Sequence, residues 1–323
     1  MTQPPDHIPV LHDEVLDLLQ PRPGDLVVDC TLGRGGHAAA FIERLAGHPD
    51  SRLIGIDLDP ANIAHCQGRF ADSPVRVELR HGSFLSTPGL VAASGRPANV
   101  VLADLGFAST QMDDPARGFS FREEGPLDMR LDPTAGRSAA DLLARISQTE
   151  LADVIDRYGE EPLARKIARK VVQTRGQRPI QTTVELAQLV LEAYGPRARQ
   201  SRMHPATRTF MALRIAVNDE LAALDGLLDR IARGAESGGA AAWLAPGARI
   251  GVISFHSLED RLVKRAFADM KQRDLGAIVT RKPITAGAQE VQANPRARSA
   301  KLRVFRTADH ADRSGSRAGR PAR

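Results

Sequence analysis

The sequence predicts an α/β protein, a doubly wound and mostly parallel sheet that carries an inserted all-helical domain. Two observations predict it. Over the first hundred residues, short apolar runs ending in Gly or Asp alternate with amphipathic helical patterns, as βαβ units require. After "DLG" at residues 104–106 the alternation stops, and several helical patterns follow without strands until strand-like runs return late in the chain. At 323 residues the chain can bury a large core with such an elaboration.

"DLVVDC" reads as the first strand and residues 36–46 as the first crossover helix. "RLIGID" is the second strand, with a helix from about Pro60 to Phe70 whose N-cap is Asp59. "VRVELRHG" and "ANVVLADLG" are the third and fourth strands. The turn-rich stretch "QMDDPARGFSFREEGPLDMRLDPTAG" opens the insert. Ser147 with Glu150 forms a capping box closed by Gly159, and Thr182 with Glu185 repeats the device up to Gly195. The apolar spacing from Pro205 to Ile231 predicts one long helix re-entering the main domain. "ARIGVISFHS" reads as a buried strand and "LEDRLVKRAFADM" as a helix capped by Ser257 and Asp260. "AIVT" and "KLRVFR" read as two late antiparallel strands. The expected organisation is therefore a main domain over 1–109 and 206–307, an insert over 110–205, and a disordered basic tail over 308–323.

Composition narrows the function. The two cysteines, Cys30 and Cys66, form no CxxC pattern, so neither a disulfide framework nor a metal site is expected, and a reducing cytoplasm is the expected setting. The N-terminus lacks the basic and apolar regions of a signal peptide, and no window suits a membrane span. Charge is unevenly spread. Residues 1–164 hold 14 Lys and Arg against 25 Asp and Glu, a net −11, whereas residues 165–208 hold 10 against 2, a net +8. Residues 261–323 hold 16 against 5, a net +11. Two basic segments beside an acidic body suit a polyanion such as nucleic acid. Arg165, Lys166, Arg169 and Lys170, on one side of a helical pattern, are the insert's expected phosphate contacts.

Ligands of open parallel sheets bind at the carboxyl ends of the strands. Three of the first four strands end in a carboxylate, at Asp29, Asp57 and Asp104, and Ser83-Phe84 follows the third. The loop "DCTLGRGGH" has the glycines of a phosphate cradle but an acid immediately before them, and it lacks the GxGxxG spacing of dinucleotide binders. A pyrophosphate would be repelled there and a cation attracted. S-adenosylmethionine fits, with a sulfonium, an ammonium and a ribose suited to Asp57, 22 residues after Gly35. Phe84 would cover the adenine. A nicotinamide-dependent dehydrogenase is disfavoured by these acids, and a non-catalytic RNA-binding factor by their completeness.

Eight blocks in order, "HIPVLHDEV", "DCTLGRGGH", "DLGFASTQMDDPARGFSF", "GPLDMR", "RYGEE", "HPATRTFMALRIAVN", "SFHSLEDRLVK" and "NPRARSAKLR", carry a specific resemblance. From about His7 to Arg306 the chain resembles the bacterial ribosomal RNA small subunit methyltransferase H family, also called MraW. The resemblance implies a class I (Rossmann-like) methyltransferase with a helical insert. It implies S-adenosylmethionine-dependent methylation of the exocyclic N4 of one cytidine in the decoding region of 16S ribosomal RNA. Carried over, the cofactor contacts are Gly35, Gly36, His37, Asp57, Phe84, Asp104 and Gln111. Where the family reads Asp-Leu-Gly-Val-Ser-Ser-Pro-Gln, this chain has Asp104-Leu-Gly-Phe-Ala-Ser-Thr-Gln111. The resemblance leaves the oligomeric state open between monomer and homodimer.

The cytosine amine is a poor nucleophile because its lone pair is delocalised into the ring, so alignment and an acceptor for its N–H bonds are needed. DNA amino methyltransferases place (Asp/Asn)-Pro-Pro-(Tyr/Phe) after the fourth strand, and Asp104-Leu-Gly-Phe107 is similar. Asp104, the expected catalytic residue, or the Leu105 carbonyl would accept from the amine, with Phe107 as a stacking surface. Arg208 and His256 are the remaining expected RNA contacts, while His204 reads as a helix-entry residue.

Overall fold

The computed structural model describes residues 9–201, 203–237 and 242–309. Of the predicted tail, residues 310–323 lie outside the described residues. The chain separates into two compact units, Met1–Gly106 with Ala222–Arg323, and Phe107–Leu221.

The first unit begins with α1 (His12–Leu19), β1 (Leu26–Asp29), α2 (Gly36–Leu45), β2 (Arg52–Asp57), α3 (Pro60–Arg69), β3 (Arg76–His81), α4 (Thr87–Ala93) and β4 (Ala98–Asp104). The second holds α5 (Ser109–Asp113), α6 (Ala139–Arg145), α7 (Gln148–Gly159), α8 (Ala164–Arg175), α9 (Thr183–Tyr194) and α10 (Ala206–Asn218). The chain then returns through α11 (Glu220–Glu236), β5 (Leu244–Ser254), α12 (Ser257–Gln272), β6 (Gly276–Ile278), α13 (Ala288–Ala293) and β7 (Lys301–Thr307).

In the first unit the strand order is β3-β2-β1-β4-β5-β7-β6. The first five strands are parallel, and β7 runs antiparallel to both β5 and β6. Alternation along the strands sends Leu26, Val28, Ile54, Ile56, Val101 and Val252 to one face, under α4, α11 and α12. Val27, Leu53, Val100, Leu102 and Ile253 go to the other, with Phe41 of α2 and Ile63 of α3. Both faces are apolar because both are covered by helices, which is why β1 reads as a continuous hydrophobic run.

The second unit packs its helices around Leu143, Ile155, Ile167, Val190, Phe210 and Leu213. Both predicted capping boxes form, Ser147 with Glu150 and Thr182 with Glu185. The pattern from Pro205 to Ile231 is two helices rather than one. The break falls at Asp219, which takes the left-handed conformation (φ 50°) that short polar side chains tolerate. The first half stays in the helical unit because Asn218 accepts from the Leu131 amide (2.7 Å) and donates to the Met129 carbonyl (2.7 Å). The helical unit therefore runs over Phe107–Leu221, wider than the predicted 110–205.

Candidate active site

The strand alternation that builds the core also places the three strand-ending acids. Asp29 follows Val27 by two, Asp57 follows Leu53 by four and Asp104 follows Leu102 by two, so all three lie on the α2/α3 face at the carboxyl edge. Asp29 pairs in register with Gly55 on one side and Leu102 on the other. Asp57 and Asp104 thus stand one side-chain row beyond it, on strands separated by β1 and so about 10 Å apart. A ligand laid across the end of β1 meets Asp57 at one end and Asp104 at the other, with Asp29 beneath.

The loop after β1 is built to present its backbone. The Cys30 amide donates to the Leu102 carbonyl and the Leu32 amide to the Ile56 carbonyl, both at 2.8 Å, so the loop is bonded to both neighbouring strands. Gly35 adopts φ 78°, and a Cβ there would lie 2.8 Å from Phe70 Cζ and 3.0 Å from Cys66 Sγ. Only glycine fits that position. His37, in the first turn of α2, is buried, its ring 6.4 Å from that of Phe41 and its Nε2 3.8 Å from Asp104 Oδ2.

Each acid is held differently. Asp57 accepts from the Gly33 amide (2.7 Å), the Asp59 amide (2.7 Å) and Asn62 Nδ2 (3.2 Å); burial nonetheless raises its pKa against these bonds. Asp29 accepts only from the Thr31 amide (3.1 Å) among the described residues. Its burial, with the Asp57 charge adding, pushes its pKa up to about 7. Asp104 is raised well above the carboxylate range by burial and then by the charges of Asp29 and Glu259. Its Oδ1 is buried and has no hydrogen-bond partner among the described residues.

Gly35, Gly36, His37, Asp57 and Asp104 are thus brought to one edge of one unit. Phe84, half-buried in the turn after β3, packs against the α4/α11 layer. Gln111 belongs to the helical unit, in α5, where its Oε1 accepts from the Ala108 amide (2.8 Å).

Sequence reasoning missed Thr31, whose hydroxyl accepts from the Asp104 amide (2.6 Å), and Asn62, which steadies Asp57. Asp59 is the N-cap of α3, accepting from the Ala61 amide, as expected.

Several expected contacts have other partners. His256, not Ser257, caps α12: its Nδ1 accepts from the Glu259 amide (3.4 Å), and Glu259 accepts from the Phe255 and His256 amides. The ring is nine-tenths buried in this cap, so it is not presented to RNA as expected. Asp260 makes a bidentate pair with Arg303 of β7 (2.7 and 3.2 Å) instead of capping. In the helical unit, Phe107 stacks on Phe119 (5.0 Å, 7°) and carries the Arg214 guanidinium 4.8 Å from its centroid, so it offers no vacant face for a base. Arg165, Lys166 and Arg169 are exposed on α8 opposite its buried Ala164, Ile167, Ala168 and Val171. Lys170 pairs with Glu192 (2.7 Å), and Arg208 donates to the Glu160 carbonyl (2.9 Å). His204 Nδ1 accepts from the Ala206 amide, as a helix-entry residue does.

A β3-β2-β1-β4-β5 parallel sheet ended by an antiparallel β7-β6 pair, with acids closing three strands over a glycine loop, is the Rossmann-like class I methyltransferase arrangement. The chain belongs to the MraW methylase family, whose model matches residues 5–308. It is 47% identical over 301 residues to a ribosomal RNA small subunit methyltransferase H of Sorangium cellulosum, covering 93% of this chain and 90% of that protein. It is 48% identical over 307 residues to the protein of the same name from Synechococcus sp. (strain CC9605), covering 93% and 97%. Among the described residues, no helix is long and apolar enough to cross a membrane.

Proposed function

We propose that this chain, in the cytoplasm, transfers a methyl group from S-adenosylmethionine to the exocyclic N4 of a cytidine in the decoding region of 16S ribosomal RNA. The observation that carries the reading is the row of three acids on one face, ending in the Asp104 Oδ1, a buried atom without a hydrogen-bond partner among the described residues. A buried acceptor in that condition favours an N–H donor, and clustered carboxylates favour a cation over a phosphate. Membership in a methylase family, and the names of relatives nearly half identical to it, support the RNA substrate.

These residues fit the cofactor. Gly35, Gly36 and His37 give backbone close approach, Asp57 suits the ribose hydroxyls, Phe84 suits the adenine, and Asp104 completes the contacts that this unit offers. When bound, S-adenosylmethionine supplies an electrophilic methyl group on a positively charged sulfur.

Asp104 Oδ1 accepts an N–H of the cytosine amine and so orients the attacking nitrogen. Burial and the charges of Asp29 and Glu259 make it a stronger proton acceptor than a surface carboxylate, which suits a nitrogen that becomes acidic as it is methylated. The target cytidine leaves its stack to reach this edge. Arg165, Lys166 and Arg169 grip RNA phosphates from the helical unit.

Deleting the gene and mapping modified cytidines in 16S RNA by mass spectrometry tests the reading. One N4-methyl mark in the decoding region is lost, the wild-type gene restores it, and Asp104→Ala does not. A deletion strain that keeps every mark contradicts the reading.

A further inference from the structure

The connection between β6 and β7, residues 279–300, is long for two neighbouring antiparallel strands. Lys301, which opens β7, pairs with Ser254, which closes β5, so the connection lies at the carboxyl edge of the sheet. That is the edge of Asp57 and Asp104. The connection is anchored rather than loose. Ile284 and Leu302 exchange both backbone hydrogen bonds at 2.9 Å, the buried Thr280 hydroxyl accepts from the Val304 amide (2.9 Å), and Ala297 is fully buried.

Its charge faces outward with one sign. Arg281, Lys282, Arg296 and Arg298 are exposed, against one acid, Glu290. Glu290 is turned back onto the protein, where its Oε1 accepts from the Leu11 amide (2.7 Å). Among the described residues, no ion pair is made by Arg281, Lys282 or Arg298. The Leu11 bond also ties this segment to the cofactor loop, because Pro9 packs on Gly36, where a Cβ would lie 3.2 Å from its ring.

We infer that residues 279–300 form a phosphate-binding platform for the substrate RNA on the cofactor-bearing unit, with Arg281, Lys282 and Arg298 as its contacts. The inference rests on the proposed function for the identity of the polyanion. An RNA backbone fits because three cations on an anchored segment, with the neighbouring acid turned inward, match a row of phosphates and read no sequence. The platform is separate from α8, which belongs to the other unit.

The test is binding of a 16S fragment spanning the decoding region, titrated at several salt concentrations against wild-type protein and Arg281→Glu/Lys282→Glu/Arg298→Glu. The variant is expected to bind about tenfold or more weakly, with the slope of log K against log salt reduced by about 3. Its S-adenosylmethionine affinity and thermal midpoint are expected to match wild type. Should the reversal fail to fold, the triple alanine variant is measured for the same slope change. Wild-type binding with no change in the variant's affinity or slope overturns the platform alone. Absence of RNA binding by the wild type overturns the proposed function, and the platform with it.

Discussion

The backbone amide of Asp104 donates to the Thr31 hydroxyl at 2.6 Å, joining the end of β4 to the loop after β1. The bond fixes the carboxylate relative to the glycine cradle, since Thr31 lies two residues after Asp29 and four before Gly35.

Thr31→Val keeps the shape and removes the acceptor, leaving a partly buried amide unsatisfied. It is expected to cost about 1–3 kcal/mol in urea unfolding and to weaken S-adenosylmethionine binding. Thr31→Ser retains the hydroxyl and is expected to restore both.

The acids make stability fall as pH rises. Asp29 has a folded-state pKa of about 7 against an ordinary 3.8, so between these values the folded state holds a proton that the unfolded state has lost. Its contribution therefore declines from about pH 4 to pH 7, by at most about 1.4 kcal/mol per pH unit. Asp29→Asn keeps an acceptor for the Thr31 amide and removes the titration. Denaturant unfolding at pH 5 and pH 8 is expected to show a smaller difference for this variant than for wild type, with the gain at pH 8. Affinity for a cationic cofactor is expected to rise as pH passes about 7, where Asp29 gains its charge in the folded protein, and to rise less in Asp29→Asn.

On α8 the geometry separates two kinds of basic residue. Arg165→Glu/Lys166→Glu/Arg169→Glu is expected to weaken RNA binding and lower its salt slope by about 3, leaving cofactor affinity unchanged. Lys170→Ala breaks the pair with Glu192, costs about 0.2–1 kcal/mol, and leaves RNA affinity where it was.

Much of the site was legible because it is written in local pattern. A carboxylate at the end of an apolar run is visible in sequence, and the two-residue period then places Asp29, Asp57 and Asp104 on one face. The glycine loop and the N-cap at Asp59 are equally local. What escaped depends on contacts between distant residues or on near-equal local choices. Asp260 satisfies a capping pattern with Ser257, yet Arg303, 43 residues on, claims it, and His256 with Glu259 makes the cap. The break at Asp219 carries neither Gly nor Pro; it is set by Asn218 binding the backbone at Met129 and Leu131. Phe107 was expected as a stacking surface, but Phe119 and Arg214, 12 and 107 residues on, take its ring, contacts that no local pattern announces.

Asp104 bears most directly on the chemistry. Asp104→Ala is expected to lower the single-turnover methylation rate about 10²-fold or more while RNA affinity is retained.

The most direct measurement supplies purified protein with methyl-labelled S-adenosylmethionine and unmodified small-subunit RNA, then identifies the labelled nucleoside and its position by mass spectrometry. The expected result is N4-methylcytidine at one position in the decoding region, formed by wild type and at least about 10²-fold more slowly by Asp104→Ala. Label on carbon 5, on a ribose hydroxyl, or on another base would contradict it.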